Sequence, residues 1–288
     1  MSLRHAAPPG LQAAGRRAVR ELSRPTAALR AVPDVLIAGA SRSGTTSLHR
    51  ALLTHPSMVP PILTKGVHYF DVEYARGPAW YRTHFPLRAT VARRPGTPLV
   101  FESSGYYMYH PEAPRRIAET LAGVRIVVML RDPVERAYSA FKHEHARGFE
   151  PVEVFEDALA LEPERLTGEV ERIRADVAYV SRAHRHQSYV HRGQYAEQLE
   201  VLFGLFGRDR VHVLFSEDFF ATPAAEYERL LGFLGLPVVH PAAYEQFNAR
   251  RGSALAPATR AALEAHFAPH DAALAALTGR TPPWPRGA

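Results

Sequence analysis

Apolar residues fall into two repeating patterns along this chain. Short unbroken apolar runs at 34–39, 98–102, 124–130 and 211–215 have the length and β-branched character of strands buried on both faces. Elsewhere the spacing changes to three and four, which predicts helices over 44–55, 111–122, 132–147, 193–207, 222–235 and 257–277. Alternation of the two patterns predicts an α/β chain, a mostly parallel central sheet flanked by helices on both faces. Residues 150–192 are polar and weakly periodic, and helices outside the sheet, near a substrate opening, are expected there. Tyr195, Phe203 and Phe206 share a helical spacing and are expected in the core.

Two strand-to-helix junctions carry the chemistry. In VLIAGASRSGTTSLHRAL, residues 35–52, the strand breaks at Gly39 and a helix opens near Gly44. A small-residue turn at a helix N-terminus lets backbone N–H groups converge on an anion. The spacing Gly39-x4-Gly44 equals that of a P-loop, but Thr45 stands where a P-loop has its lysine. Without that lysine a nucleoside triphosphate loses its main charge contact. The loop offers Arg42 and the hydroxyls of Ser41, Ser43, Thr45, Thr46 and Ser47 instead, a set suited to a single phosphate or phosphosulfate. An ordinary helix cap needs one hydroxyl rather than five.

The second junction is VRIVVMLRDPVERAYSAFKHE, residues 124–144. Arg131 ends the strand, Asp132 and Pro133 start a helix, and Ser139 follows two turns along. The carboxyl ends of strands in an open α/β sheet are where ligands bind, and a guanidinium there can grip a phosphate with two hydrogen bonds. The bland alternative makes Arg131 a surface ion pair and Ser139 a helix-face serine. A P-loop kinase or nucleotidase is a further alternative, but it calls for a Mg-binding aspartate where this strand ends in Arg131.

The two segments resemble the cofactor signatures of the PAPS-dependent sulfotransferases, which take a sulfonate from 3′-phosphoadenosine-5′-phosphosulfate (PAPS) and release 3′,5′-adenosine bisphosphate (PAP). The resemblance continues through KGVHYFD (65–71), AWYRTHFP (79–86), FESSGYYMYHP (101–111), RGQYAEQLEVLFGLFG (192–207), VHVLFSEDF (211–219) and ERLLGFLGLP (228–237), and covers roughly 34–285. It is similar to the heparan-sulfate branch and its bacterial relatives. It implies a P-loop-like three-layer fold, with PAPS as co-substrate. The first loop then holds the 5′-phosphosulfate through Arg42, Ser43, Gly44, Thr45, Thr46 and Ser47. Arg131 and Ser139 hold the 3′-phosphate, with Gly193, Arg250 and Arg251 as further cofactor contacts; for the last two a solvated surface loop is the alternative.

Sulfonate transfer needs a base for the acceptor proton and positive charge at the departing oxygen. The resemblance gives the charge to Arg42; the heparan-sulfate branch has Lys there and the tyrosylprotein branch Arg. The branch's base, a Glu, is replaced by Gly66. His68 with Asp71 beside it is the expected base, and Glu102 the rival. Lys65 stands open between a contact to the sulfonate and a solvated loop lysine. Ser103 replaces a lysine common in the branch, which weakens the case for a sulfated glycan acceptor. Tyr106, Tyr107 and Tyr109 are expected to line the acceptor pocket. A protein that binds PAP without turnover, having lost its base at Gly66, is the remaining alternative.

Composition narrows this further. The 288 residues, 46% of them hydrophobic, suffice for one core, and a single domain over 34–288 is expected. Residues 1–33 read as a basic Ala/Arg/Pro-rich arm, flexible or loosely docked, with a short helix around 11–22. No apolar run has the length of about eighteen residues that a membrane span needs, and the arm lacks a signal-peptide core. Zero cysteines exclude disulfides and thiolate sites, and a cytoplasmic location is expected. A net charge of +6 and an isoelectric point near 9.7 suit an anionic ligand; no nucleic-acid recognition pattern accompanies them. The fifteen histidines are scattered without ligand spacing, so no metal is expected, and His184 and His186 read as solvated or substrate-facing. The acceptor is a small molecule or a glycan; oligomeric state is not readable.

Overall fold

The computed structural model describes residues 9–245 and 254–284. In chain order, α1 (Pro9–Ser23) precedes β1 (Val35–Gly39), α2 (Thr45–Leu53), β2 (Met58–Val59), α3 (Gly77–Arg82), α4 (Arg88–Ala92), β3 (Leu99–Ser103) and α5 (Ala113–Thr120). Then come β4 (Arg125–Leu130), α6 (Pro133–His145), α7 (Phe155–Leu166), α8 (Glu169–Ala175), α9 (Arg182–His186), α10 (Tyr195–Phe206) and β5 (Val211–Phe215). The last helices are α11 (Ser216–Ala221), α12 (Pro223–Leu234) and α13 (Pro257–Thr278). All four expected strands and the six expected helices form, with ends shifted by a few residues.

The strands form one sheet in the order β2-β3-β1-β4-β5, and each pairing between these strands is parallel. β2 escapes sequence reading because two residues carry no period.

Successive side chains of a strand point to opposite faces, and the core divides accordingly. Leu36, Val100, Ile126 and Val128 pack with Tyr195, Leu199, Leu202 and Phe206 of α10 and Ile117 of α5. Val35, Ile37, Phe101, Val127 and Met129 pack on the other face with Leu48 and Leu52 of α2 and Leu230, Leu231 and Leu234 of α12. These two layers around the sheet give the three-layer α/β architecture. A satellite core joins Val134, Ala137 and Phe141 of α6 to Phe155 of α7 and Phe267 of α13, which hangs the 150–192 helices beside α6. Phe203 is only partly buried at the edge of its cluster.

The segment before β1 is helical from Pro9 and, from Arg24, packs against the α3 region. The Arg30 guanidinium donates to the Phe85 carbonyl at 2.7 Å, and Ala31 N–H to the Pro86 carbonyl at 2.9 Å. Among the described residues no helix is long and apolar enough to cross a membrane.

Asp34 sets the register of three strands. Its N–H donates to the Val100 carbonyl at 2.8 Å and its carbonyl accepts from Arg125 N–H at 2.9 Å. Its carboxylate accepts from Val100 N–H at 2.8 Å. Asp34→Ala leaves a half-buried strand amide without its acceptor and should cost about 1–3 kcal/mol, read as a lowered urea midpoint; an unchanged midpoint would show that the β1–β3 register does not depend on it.

Candidate active site

The carboxyl edge of the sheet carries the site. β1 ends at Gly39 and the chain turns to Gly44, whose φ of 91° is a left-handed conformation that glycine adopts without strain. A Cβ there would also meet the Phe220 ring at 3.1 Å. α2 starts at the next residue, so the N–H donors of its first turn lack helical acceptors. Thr45 borders a cleft, Thr46 accepts a bond from Lys65, and Ser47 is buried. Ser43 Oγ is buried without a hydrogen-bond partner, a hydroxyl in want of an oxygen. These residues fit a phosphate-type anion.

The second junction meets the first. The Asp132 carboxylate caps α6 by accepting from Val134 N–H at 3.0 Å, which sets Ser139 facing the cradle. The Arg42 guanidinium donates to Ser139 Oγ from Nε and Nη2, both at 3.2 Å. Arg131 Nη1 reaches the Arg42 carbonyl at 3.4 Å, and its Nη2 lies 3.6 Å from the Glu135 carboxylate, which also bonds Arg260 of α13. The structure therefore brings Arg42, Arg131 and Ser139 together. At Gly193, beside the start of α6, a Cβ would meet the Phe267 ring at 2.8 Å and Pro133 at 2.9 Å, so close packing calls for glycine there. Arg250 and Arg251 lie outside the described residues.

Beside the cradle opens a cleft of about 460 Å³, bordered by Arg42, Thr45, Lys65, His68, Tyr106, His143, Glu144, Arg185 and His186 among others. His68 Nδ1 bonds the Asp71 carboxylate at 2.8 Å; 36% of the His68 side chain is exposed and none of Asp71's. Burial lowers the imidazole pKa, but the charge and hydrogen bond of Asp71 outweigh it, and the net shift is upward. Arg42 and His68 have φ of 71° and 56°, and among the described residues they are the non-glycine residues in the left-handed region. Such backbone strain gathers at functional sites, and here both strained residues border one cleft.

Glu102, the rival base, sits behind the cleft. It is fully buried, accepts from Tyr81 Oη at 2.9 Å and Ser104 Oγ at 2.7 Å, and burial raises its pKa. Ser104 Oγ in turn accepts from His68 N–H at 3.1 Å, so Glu102 supports the His68 loop from behind. Gly66 has a steric cause as well: a Cβ would stand 2.5 Å from the Ser103 carbonyl oxygen and 2.9 Å from Ser104 Oγ. A glutamate does not fit this loop without displacing the end of β3.

The tyrosines divide. Tyr106 borders the cleft, whereas Tyr107 is fully buried and packs edge-on to Phe70. Tyr109 stacks on His184 at 4.3 Å. His184 is buried rather than solvated. His186 does reach the cleft, stacked on Phe149 at 4.0 Å and bonded to Glu144 at 2.9 Å. Sequence reasoning missed this pair, since nothing local links residues 42 apart. It also missed His143, whose Nδ1 is 3.4 Å from Arg42 Nη1; its position one helical turn after Ser139 was the available signal. Among the described residues no cluster of three or more His, Cys, Asp or Glu suits a metal ion.

The fold and site define an α/β protein with a phosphate cradle and a histidine–carboxylate pair on one cleft. The model of the sulfotransferase domain family matches residues 32–262, and the chain belongs to that family. A solved sulfotransferase from Alicyclobacillus acidocaldarius is 29% identical, with a TM-score of 0.63 over 87% of this chain and 97% of its own. Bifunctional heparan sulfate N-deacetylase/N-sulfotransferase 3 of Homo sapiens is 34% identical over 120 residues, 40% of this chain. The type 1 protein of Caenorhabditis briggsae is 25% identical over 228 residues, 77% of this chain. The matched stretch spans 13% and 25% of the length of these two relatives.

The His68–Asp71 geometry predicts a titration. The His68 imidazole in wild type should titrate, by NMR, above the unperturbed value of about 6.5. Asp71→Asn removes the anion that raises it and leaves burial and the Arg185 charge, which both lower it; the midpoint should fall below wild type. An unchanged midpoint would mean that Asp71 does not set the protonation of His68.

Proposed function

We propose that this chain is a PAPS-dependent sulfotransferase that moves the sulfonate group to a hydroxyl or amine of a carbohydrate, lipid or small-metabolite acceptor. The observation that carries this is the single cleft shared by Arg42 of the phosphate cradle and His68, both held in left-handed backbone, with Asp71 bonded behind His68. Family membership agrees with it.

The residues divide the work by their chemistry. The first turn of α2, with Ser43, Thr45, Thr46 and Ser47, holds the 5′ end of the donor, and Arg131 and Ser139 hold the 3′-phosphate. PAPS supplies an activated sulfonate whose leaving group is a phosphate. Arg42 meets the charge that builds on that departing oxygen; a guanidinium keeps its proton at neutral pH, so its contribution is electrostatic. His68 donates Nδ1–H to the Asp71 carboxylate, which leaves the Nε2 lone pair for the acceptor proton. Glu102 keeps this loop in place through Ser104. The role is open to a hydroxyl or an amine because the base asks only for a removable proton.

Three substitutions test the assignment, with PAP release from PAPS as the activity and PAP titration as the affinity. Arg131→Ala should weaken PAP binding by at least about tenfold, since a charged hydrogen bond contributes about 1.5–3 kcal/mol. Arg42→Ala should lower kcat by about 100-fold with a smaller change in PAP affinity. His68→Ala should lower acceptor-dependent turnover by about 100-fold or more. Wild-type PAP affinity in Arg131→Ala, or near-full transfer in His68→Ala, would overturn the corresponding assignment.

A further inference from the structure

The helix α1 is docked inside out. Leu11, Gly15, Ala18 and Leu22 follow one another at steps of four, three and four, which places them on one stripe of the helix. A surface helix normally turns such a stripe to the core. Here Gln12, Arg16 and Arg20 are the half-buried residues, and Leu11, Ala14, Gly15, Ala18, Val19 and Leu22 are exposed. The Arg20 guanidinium lies over the Trp80 ring of α3 at 5.8 Å, a cation–π contact, so the polar side of α1 is the side held to the protein. Leu22 is 81% exposed and Leu11 68%. Leu29, in the short helix Arg24–Leu29 that follows, is exposed as well. Single exposed leucines need no explanation, but an apolar stripe running the length of a helix marks a surface that another body covers.

The charges around the stripe decide what that body is. Residues 9–30 carry Arg16, Arg17, Arg20, Arg24 and Arg30 against Glu21 as the carboxylate, and Glu21 stands 4.0 Å from Arg24. The antiparallel bridge between Arg30 and Leu87 brings the start of α4 beside this segment, and residues 88–94 add Arg88, Arg93 and Arg94 with no acid. A second copy of this chain would set these arginines against their own kind, which is unfavourable. A leucine stripe edged by guanidinium groups instead suits the headgroup layer of a bilayer, where aliphatic side chains enter the acyl boundary and the cations stay with lipid phosphates. We propose that α1 is a membrane-surface helix that seats the protein on an anionic lipid bilayer. Leu11, Ala18 and Leu22 enter the interface, and Arg17 and Arg24, both exposed, meet the headgroups. The attachment is peripheral, and it does not depend on the donor site or on the sulfonate-transfer reading.

Flotation of the full chain with lipid vesicles tests this. Phosphatidylcholine vesicles containing about one third phosphatidylglycerol should hold wild type at least about tenfold more tightly than phosphatidylcholine alone, and raising the salt to about 0.5 M should weaken that binding. Leu11→Glu combined with Leu22→Glu should lower affinity for the mixed vesicles about tenfold or more. Arg17→Glu combined with Arg24→Glu should remove the preference for the anionic lipid. All four side chains are exposed, so the urea midpoint and the PAP affinity of both variants should match those of wild type, whatever that affinity is. A wild type that binds neither kind of vesicle, or both equally, would overturn the proposal. Undiminished binding in the leucine variant would place the contact elsewhere, such as the positive cleft, and overturn it too. So would a wild-type dimer in sedimentation that the leucine variant dissolves, without vesicle binding, since the stripe would then belong to a second copy.

Discussion

Five parallel strands oblige their following loops to leave the sheet at the same edge. β1, β3 and β4 are neighbours in the order β2-β3-β1-β4-β5, so Arg42, the Ser103–Tyr106 turn and Arg131 emerge side by side although up to 89 residues separate them. Both sheet faces are taken up by helices, which leaves the carboxyl edge as the place where polar groups can stay open to a ligand. The site depends on this one constraint. The register bonds of Asp34 and the core of β1 matter to function because they hold the cradle level with the loop of His68.

The electrostatics of that edge are lopsided. Arg42, Lys65, Arg147, Arg185 and Arg192 border the cleft, against Glu144 as the carboxylate, and His186 holds Glu144. Bringing guanidinium and ammonium groups together out of bulk water is unfavourable by itself. Burial, with the Arg50 charge beside it, lowers the Lys65 ammonium to about 8. An anion bound among these groups would relieve that cost. Asp71 plays the opposite part on one residue: it raises the proton affinity of His68.

Much of this was legible from local pattern. The apolar runs, the Gly39-x4-Gly44 turn and the Asp132–Pro133 helix start are short-range signals, and the sheet, the cradle and the α6 N-terminus formed where those signals lay. The resemblance pointed to His68 with Asp71 beside it. Burial was harder to read. Glu102 looks like any acidic strand residue, and its place behind the cleft depends on Tyr81 and Ser104 arriving from elsewhere. His184 looks exposed in a polar stretch until the fold stacks it on Tyr109. Lys65 was ambiguous because its partner, Thr46, sits on another element, and the reason for Gly66 is a backbone approach that no sequence displays. The Glu144–His186 pair had no local signal at all.

The central claim is that the cradle takes a 3′-phosphorylated adenosine phosphate rather than a metal-bound triphosphate. Calorimetric titration of the purified protein with 3′,5′-adenosine bisphosphate, and separately with ATP and Mg²⁺, tests it directly. Micromolar or tighter binding of the bisphosphate, with Mg-ATP much weaker, is the expected result. A preference for Mg-ATP, or heat from neither, would contradict the account and return the Gly39–Gly44 loop to another use.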